Sequence, residues 1–229
     1  MSEFSAAEIA SFERLVKTRR SVRGFLPDRV PPDVMETIFD IARWSPSGTN
    51  VQPWHICVAS GAVCDDLRTQ MSQRAADNVP IRTDHAPDGK VSDLYRNRKR
   101  GCAAVLYEAM DIAWEDKAGR AAAYERNYDF FGAPHAAFLC MHEVFGTQTA
   151  ADVGMFTQTL MLAMTAHGVA SCAQGTLRNH PDLVRETFGL PAEMKVLYGI
   201  SFGYEDPNVP ANAARTERAA YDENFQFLG

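Results

Sequence analysis

Four cations fall within seven residues, Lys17, Arg19, Arg20 and Arg23, with no acid among them. Guanidinium groups present planar forks of N–H donors that match phosphate oxygens, and Ser21 in their midst adds a hydroxyl. Such a cluster can clamp a phosphorylated small ligand. It has a plainer reading too: it ends a predicted helix, whose negative C-terminus gains about 0.3–1 kcal/mol from each nearby cation. Residue types alone leave both open. A second polar concentration, "SPSGTNVQ" at 45–52, is set between Trp44 and Trp54. Small hydrogen-bonding side chains crowd a place where a helix hands over to a buried strand, which suits either a Pro/Gly turn or the polar edge of a ligand.

Other arrangements that could carry chemistry fail on context. Gly199-Ile-Ser-Phe-Gly203 has the G-x-S-x-G form, but no helix follows it and no histidine follows Ser201 to act as base, so Ser201 reads as a strand residue. His142-Glu143 lacks the second histidine of a zinc protease, because position 146 is Gly146. Neither a Walker loop nor a Rossmann fingerprint occurs, which leaves the arginine cluster as the phosphate candidate. Five cysteines, odd in number, dispersed and never in C-x-x-C spacing, predict free thiols and no metal centre. Arg96, Arg98, Lys99 and Arg100 read as the wet side of a helix, or as a patch that steers anionic substrates.

These groups need elements to position them. Ser5-x-x-Glu8 is a capping box, and Ile9, Phe12, Leu15 and Val16 continue it as a helix to about Lys17, which delivers the arginines to its end. Pro31 and Pro32 open a second helix with a wide apolar face up to Trp44, stopped by Pro46. "WHICVA" (54–59), "AAFLCMH" (136–142) and "KVLYGISFGY" (195–204) are short, β-branched or aromatic runs that predict the sheet. Helical patterns cover 61–76, 92–128 and 150–167, the last opened by Thr149-x-x-Asp152 and closed by Gly168. Alternating strands and helices indicate a layered α/β or α+β domain. Residues 78–93 read as an exposed connection bordering a lid, and the tail's Phe225, Phe227 and Leu228 need a cover that another subunit could give.

Composition agrees with one globular unit over residues 1–229: 46% apolar, 23% charged, without low-complexity tracts. A net charge of −6 disfavours a nucleic-acid partner. No stretch reaches the roughly 18 unbroken apolar residues of a membrane span, and the N-terminus lacks the features of a secretory signal, so a cytoplasmic location is expected.

Three segments in order, "RRSVRGF" (19–25), "SPSGTNVQPWH" (45–55) and "DVGMFTQTLMLAMTAHGVASCAQG" (152–175), followed by "GYEDPNVPANAARTER" (203–218), resemble the FMN-dependent nitroreductase family. The likeness runs from about Lys17 to Arg218. It implies a mixed central β-sheet flanked by helices, in an intertwined homodimer whose C-terminal arm wraps the partner. It implies that Arg19, Arg20 and Ser21 bind the FMN phosphate and ribityl chain, joined by Arg218 and Arg215. Arg23 falls at the flavin's pyrimidine edge, where a cation stabilises added negative charge.

In relatives of this kind the loop crosses to the partner's flavin, which would place Pro46, Ser47, Asn50 and Gln52 over it. Gln174 and Gly175 match the position whose backbone N–H faces flavin N5. Many relatives carry an acid where this chain has Gln174, and some a serine where it has Gly48. Tyr128, Phe130 and Phe131 are implied walls for a small aromatic substrate, with core packing as the plainer reading.

The implied reaction is two-electron reduction of a nitroaromatic compound by NADH or NADPH through the flavin, so that Gln174, Gly175 and Arg23 are the residues nearest the chemistry. The same scaffold is compatible with a quinone or enone reductase, a reductive dehalogenase, or an FMN-binding protein without turnover.

Overall fold

The computed structural model describes residues 3–229. Four strands, β1 (Trp54–Ser60), β2 (His135–His142), β3 (Ala170–Gln174) and β4 (Met194–Gly203), form one sheet in the order β1-β2-β4-β3. All three neighbouring pairs are antiparallel, so the sheet expected to be mixed is antiparallel in its strands. Among the described residues its one parallel relation is an isolated bridge between Ser21 and Ser171; the same segment makes an antiparallel bridge farther on, between Phe25 and Glu205.

Strand β2 is buried almost throughout because both faces of the sheet are covered, and its side chains alternate with the period of two that a strand imposes. Ala136, Phe138 and Cys140 enter one core with helices α3 (Ala62–Ala76) and α7 (Pro181–Phe188); Ala137, Leu139 and Met141 enter the other with α2 (Pro32–Ala42) and α6 (Thr147–Ala166). A bulge between Leu139 and Cys140 shifts the register against β4. His135 starts β2 as a buried strut: its Nε2 accepts from the Val30 N–H at 3.0 Å, its Nδ1 lies 2.6 Å from Ser60 Oγ, and its ring stacks on Phe202.

Helix α1 (Ala6–Thr18) carries the expected capping box, with Ser5 and Glu8 bonded reciprocally. The long pattern over 92–128 divides into α4 (Asp93–Ala109) and α5 (Lys117–Glu125), because Asp111 takes a left-handed φ of 54° and Asp116 caps the new helix by accepting from the Gly119 N–H at 2.9 Å. Helix α6 starts one turn earlier than expected, with Gly146 at its N-cap, so Thr149 and Asp152 do not cap it. The Asp152 carboxylate instead accepts from the Gly48 N–H at 3.0 Å.

Two elements go beyond the sequence reading. Strand β3 is five residues long, and α7 has Pro181 at its first turn and a left-handed Gly189 after its last. Segment 78–92 has no helix or strand and is largely exposed, yet Asp84 anchors it by accepting from Arg185 at 2.6 Å and from the Val196 N–H at 2.8 Å. Among the described residues no helix is long and apolar enough to cross a membrane. The tail after β4 ends in α8 (Tyr221–Asn224), with Tyr221 stacked on Phe225.

Candidate active site

The end of α1 and the chain after β4 meet at one cleft of about 680 Å3, lined by Arg19, Arg20, Ser21, Arg23, Arg215 and Arg218. Cys102 and Leu106 of α4 form its other side. Residues almost 200 positions apart are held together by Asn212, whose Oδ1 accepts from the Arg23 N–H at 2.7 Å while its Nδ2 donates to the carbonyls of Gly24 and Asp206, both at 2.9 Å. At Gly24 a side chain would lie 2.5 Å from Val209, so only glycine lets the two segments pass this closely.

Charge is concentrated here without matching acid. Arg20 forms a paired ion contact with Glu205 at 2.5 Å, but among the described residues Arg19, Arg23, Arg215 and Arg218 have no acidic partner. The backbone takes up part of their donors: Arg23 reaches the Ser21 carbonyl at 3.4 Å, and Arg215 the Asn212 carbonyl at 2.7 Å. Arg20 Nη1 is buried with no partner among the described residues. Several guanidinium groups held around one cleft, one with a donor left over, suit an anion with several oxygens. Next to them, burial pushes the Cys172 thiol up from its ordinary value, with Arg23 and Arg19 pulling the other way.

The bridge between Ser21 and Ser171, with the Val22 N–H donating to the Ser171 carbonyl at 3.0 Å, lays the arginine segment along β3. At the far end of β3, side chains alternate across the sheet's open edge. Ala173 and Gly175 are exposed, and Gln174 between them is 3% exposed. A side chain at Gly175 would enter open space, so the backbone there is accessible. The Gln174 amide points inward, donating to Asn127 O at 3.1 Å and Asn127 Oδ1 at 3.2 Å, and its Oε1 accepts from the Ser201 hydroxyl. Fully buried and so engaged, Ser201 is structural.

Pro46, Ser47, Asn50 and Gln52 do not line this cleft. Their loop stands apart at the start of α6, braced by the Gln52 N–H to Ser47 Oγ bond at 2.9 Å and by Asp152. Thr49, Asn50 and Gln52 all take left-handed φ near 50°, and their side chains are exposed, so the loop presents a polar surface to solvent.

Tyr128 and Phe130 are packed into the core: Tyr128 accepts a bond from Asn179 Nδ2 at 2.8 Å, and Phe130 sits edge-on to Phe138. Phe131 is buried in the same core and also borders an annex of about 100 Å3 that shares Arg23 and Leu106 with the main cleft. In the basic patch on α4, Arg96 pairs with Asp93, Arg98 with Glu223 and Lys99 with Asp88. All five cysteines are free, and no cluster of metal-ligating groups occurs among the described residues.

The roles of Asn212, Glu205 and Asn127 escaped the sequence reading, and Asp152 reads in the sequence as part of a helix cap. Each acts on a residue at least 47 positions away, so local spacing does not show these roles.

Known proteins resemble this chain in sequence and in fold. The chain is 39% identical over 221 residues to Nitroreductase NfnB of Mycolicibacterium smegmatis (strain ATCC 700084 / mc(2)155), covering 94% of this chain and 92% of that protein. It is 32% identical over 218 residues to 4-nitrobenzoate reductase of Pseudomonas putida, covering 95% and 96%. A crystal structure of the FMN-dependent nitroreductase NfnB from Mycobacterium smegmatis in complex with NADPH matches the fold with a TM-score of 0.92 at 37% identity, over 97% of this chain and all of that one. The model of the Nitroreductase family matches residues 16–204, a span that runs from the arginine segment through β4, and on these grounds the chain belongs to the nitroreductase family.

Proposed function

We propose that the protein is an FMN-dependent oxidoreductase that uses NADPH or NADH to reduce nitroaromatic compounds, working in the cytoplasm as a homodimer of single-domain chains. The observation that carries this reading is the cleft itself, where four guanidinium groups without acidic partners among the described residues and the unpartnered Arg20 Nη1 converge, with Ser21 bridged to β3, the strand that ends at the open backbone of Gly175. Those donors fit the phosphate of a mononucleotide, and a cleft of this size fits a ligand with a fused ring. Similar proteins described as FMN-dependent and as complexed with NADPH support the choice of flavin and donor.

When bound, FMN supplies the two-electron hydride chemistry that side chains lack. Arg19, Arg20, Ser21, Arg215 and Arg218 would hold its phosphate and ribityl end. Arg23 would supply a cation to the flavin ring system, where it would stabilise added negative charge. The accessible backbone at Gly175, next to Gln174, would offer a main-chain donor to the flavin, while the Gln174 side chain stays in the core and fixes that strand end. Pro46, Ser47, Asn50 and Gln52 complete the partner's site. Each two-electron step takes one hydride from the nicotinamide and a proton from solvent: the first turns a nitro group to nitroso with loss of water, the second turns nitroso to hydroxylamine.

The test is spectroscopic. The purified protein should be yellow, bleach on anaerobic addition of NADPH or NADH, and recover its colour with nitroarenes. Colourless protein that gains no absorbance from added FMN refutes the reading, and recovery with quinones but not nitroarenes reassigns the acceptor.

A further inference from the structure

We infer that Arg126 and the aromatic annex beside Arg23 form a subsite for an anionic group on a single aromatic ring, which makes arene carboxylates the preferred nitro substrates. This rests on the reading of the protein as a nitroreductase.

The annex is walled by Tyr107, Tyr124 and Phe131 and opens beside Arg23. At about 100 Å3 it accepts one six-membered ring and not a fused pair. The Arg126 guanidinium lies 5.8 Å from the centre of the Phe131 ring and, among the described residues, has no ion-pair partner. Its acidic neighbour Asp129 lies 3.7 Å from Arg68 instead, and burial raises the Asp129 carboxyl although Arg68 and Arg126 both pull it down. Arg126 is thus a half-buried cation at an aromatic lip with its fork free, and a planar carboxylate is the group that fork matches.

The backbone shows that Phe131 is held for this purpose. Phe130 and Phe131 both take left-handed φ, 54° and 55°, and Gly132 follows at 75°. Bulky residues adopt that region only where the surroundings enforce it. The enforcement is visible: the Phe131 N–H donates to the Arg126 carbonyl at 3.0 Å, and Arg68 Nη2 donates to the Ala133 carbonyl at 2.5 Å. One turn therefore fixes the ring and the cation together.

The anion could come from a substrate carboxylate or from the 2′-phosphate of NADPH, and the test separates them. With FMN-loaded wild type, Arg126→Gln and Arg126→Lys, kcat/KM is measured for 4-nitrobenzoate and nitrobenzene, then for NADPH and NADH. The Kd of benzoate, which cannot be reduced, is read from the visible spectrum, and the Kd of FMN by ultrafiltration. In Arg126→Gln the nitrobenzoate-to-nitrobenzene ratio should fall by about tenfold or more and benzoate should weaken alike, with Arg126→Lys between, as loss of a charge-assisted bond implies.

An unchanged ratio overturns the proposal. So does a fall in the NADPH-to-NADH ratio instead, which gives the site to the donor's phosphate, or a weaker FMN Kd, which gives it to the cofactor. Should wild type reduce neither nitroarene, the functional reading fails on its own, and benzoate binding still decides the subsite.

Discussion

Gln174 donates to two oxygens of Asn127 and accepts from Ser201, so each end of its amide is matched. Gln174→Glu keeps the size and the Ser201 contact but turns the donor into an acceptor facing Asn127's oxygens. The resulting unsatisfied buried pair costs about 1–3 kcal/mol. In a chain of this length that lowers the melting temperature by about 2–4 °C per kcal/mol, measurable by thermal denaturation.

His135 gives a pH signature at the same scale. Burial, with Arg29 adding to it, lowers its pKa to about 4 from an ordinary 6.5, so the folded state holds it neutral. Its contribution is complete above pH 6.5, where neither state is protonated, and is lost as pH falls through the window from 6.5 to 4, by roughly 3 kcal/mol in all. Urea midpoints measured across that window should fall more steeply for wild type than for His135→Gln. Parallel curves would remove His135 from the acid sensitivity.

Among the elements, the latch between the arginine segment and the chain after β4 matters most, since neither alone makes the cleft. Asn212→Ala leaves the Arg23 N–H without its partner and takes one of two donors from each of the Gly24 and Asp206 carbonyls. Three lost bonds amount to about 2–4 kcal/mol, and freeing Arg215 and Arg218 from Arg19 should also weaken FMN binding by about tenfold or more. Calorimetry and ultrafiltration read the two effects separately. Loss of stability with unchanged FMN affinity would make Asn212 a folding residue only. Asp152 does the corresponding work for loop 45–52, where the sequence pattern had suggested a cap.

At the level of the whole molecule, much apolar surface is uncovered in one protomer. Phe227 is 76% exposed and Leu228 89%, and α1 buries none of its residues, leaving Ile9, Phe12 and Val16 in the open. A partner subunit would cover such surface and receive loop 45–52. If sites are shared, mixing inactive Arg19→Ala subunits with inactive Asn50→Ala/Gln52→Ala subunits restores activity. Random exchange makes half the dimers mixed, each with one intact site, so about a quarter of wild-type turnover should return. No recovery would mean each loop serves its own chain.

The sequence by itself determined the local parts: the capped first helix, the three longer strands, the polar loop, and the arginine cluster as an anion-binding candidate. Spacing and residue type decide these within a few turns of chain, and four motifs in order carried the family resemblance. Tertiary structure alone decided the rest. The short β3 is a strand because β4 and the Ser21 segment pair with it, and the 92–128 pattern breaks because Asp111 takes a left-handed turn and Asp116 starts a new cap. Tyr128, Phe130 and Phe131 are all drawn into the core, and Phe131 also borders a cavity, a placement that aromatic identity cannot decide. Asn212 and Glu205 matter through partners more than 180 residues away, and bonds across such distances leave no period or spacing in the chain to read.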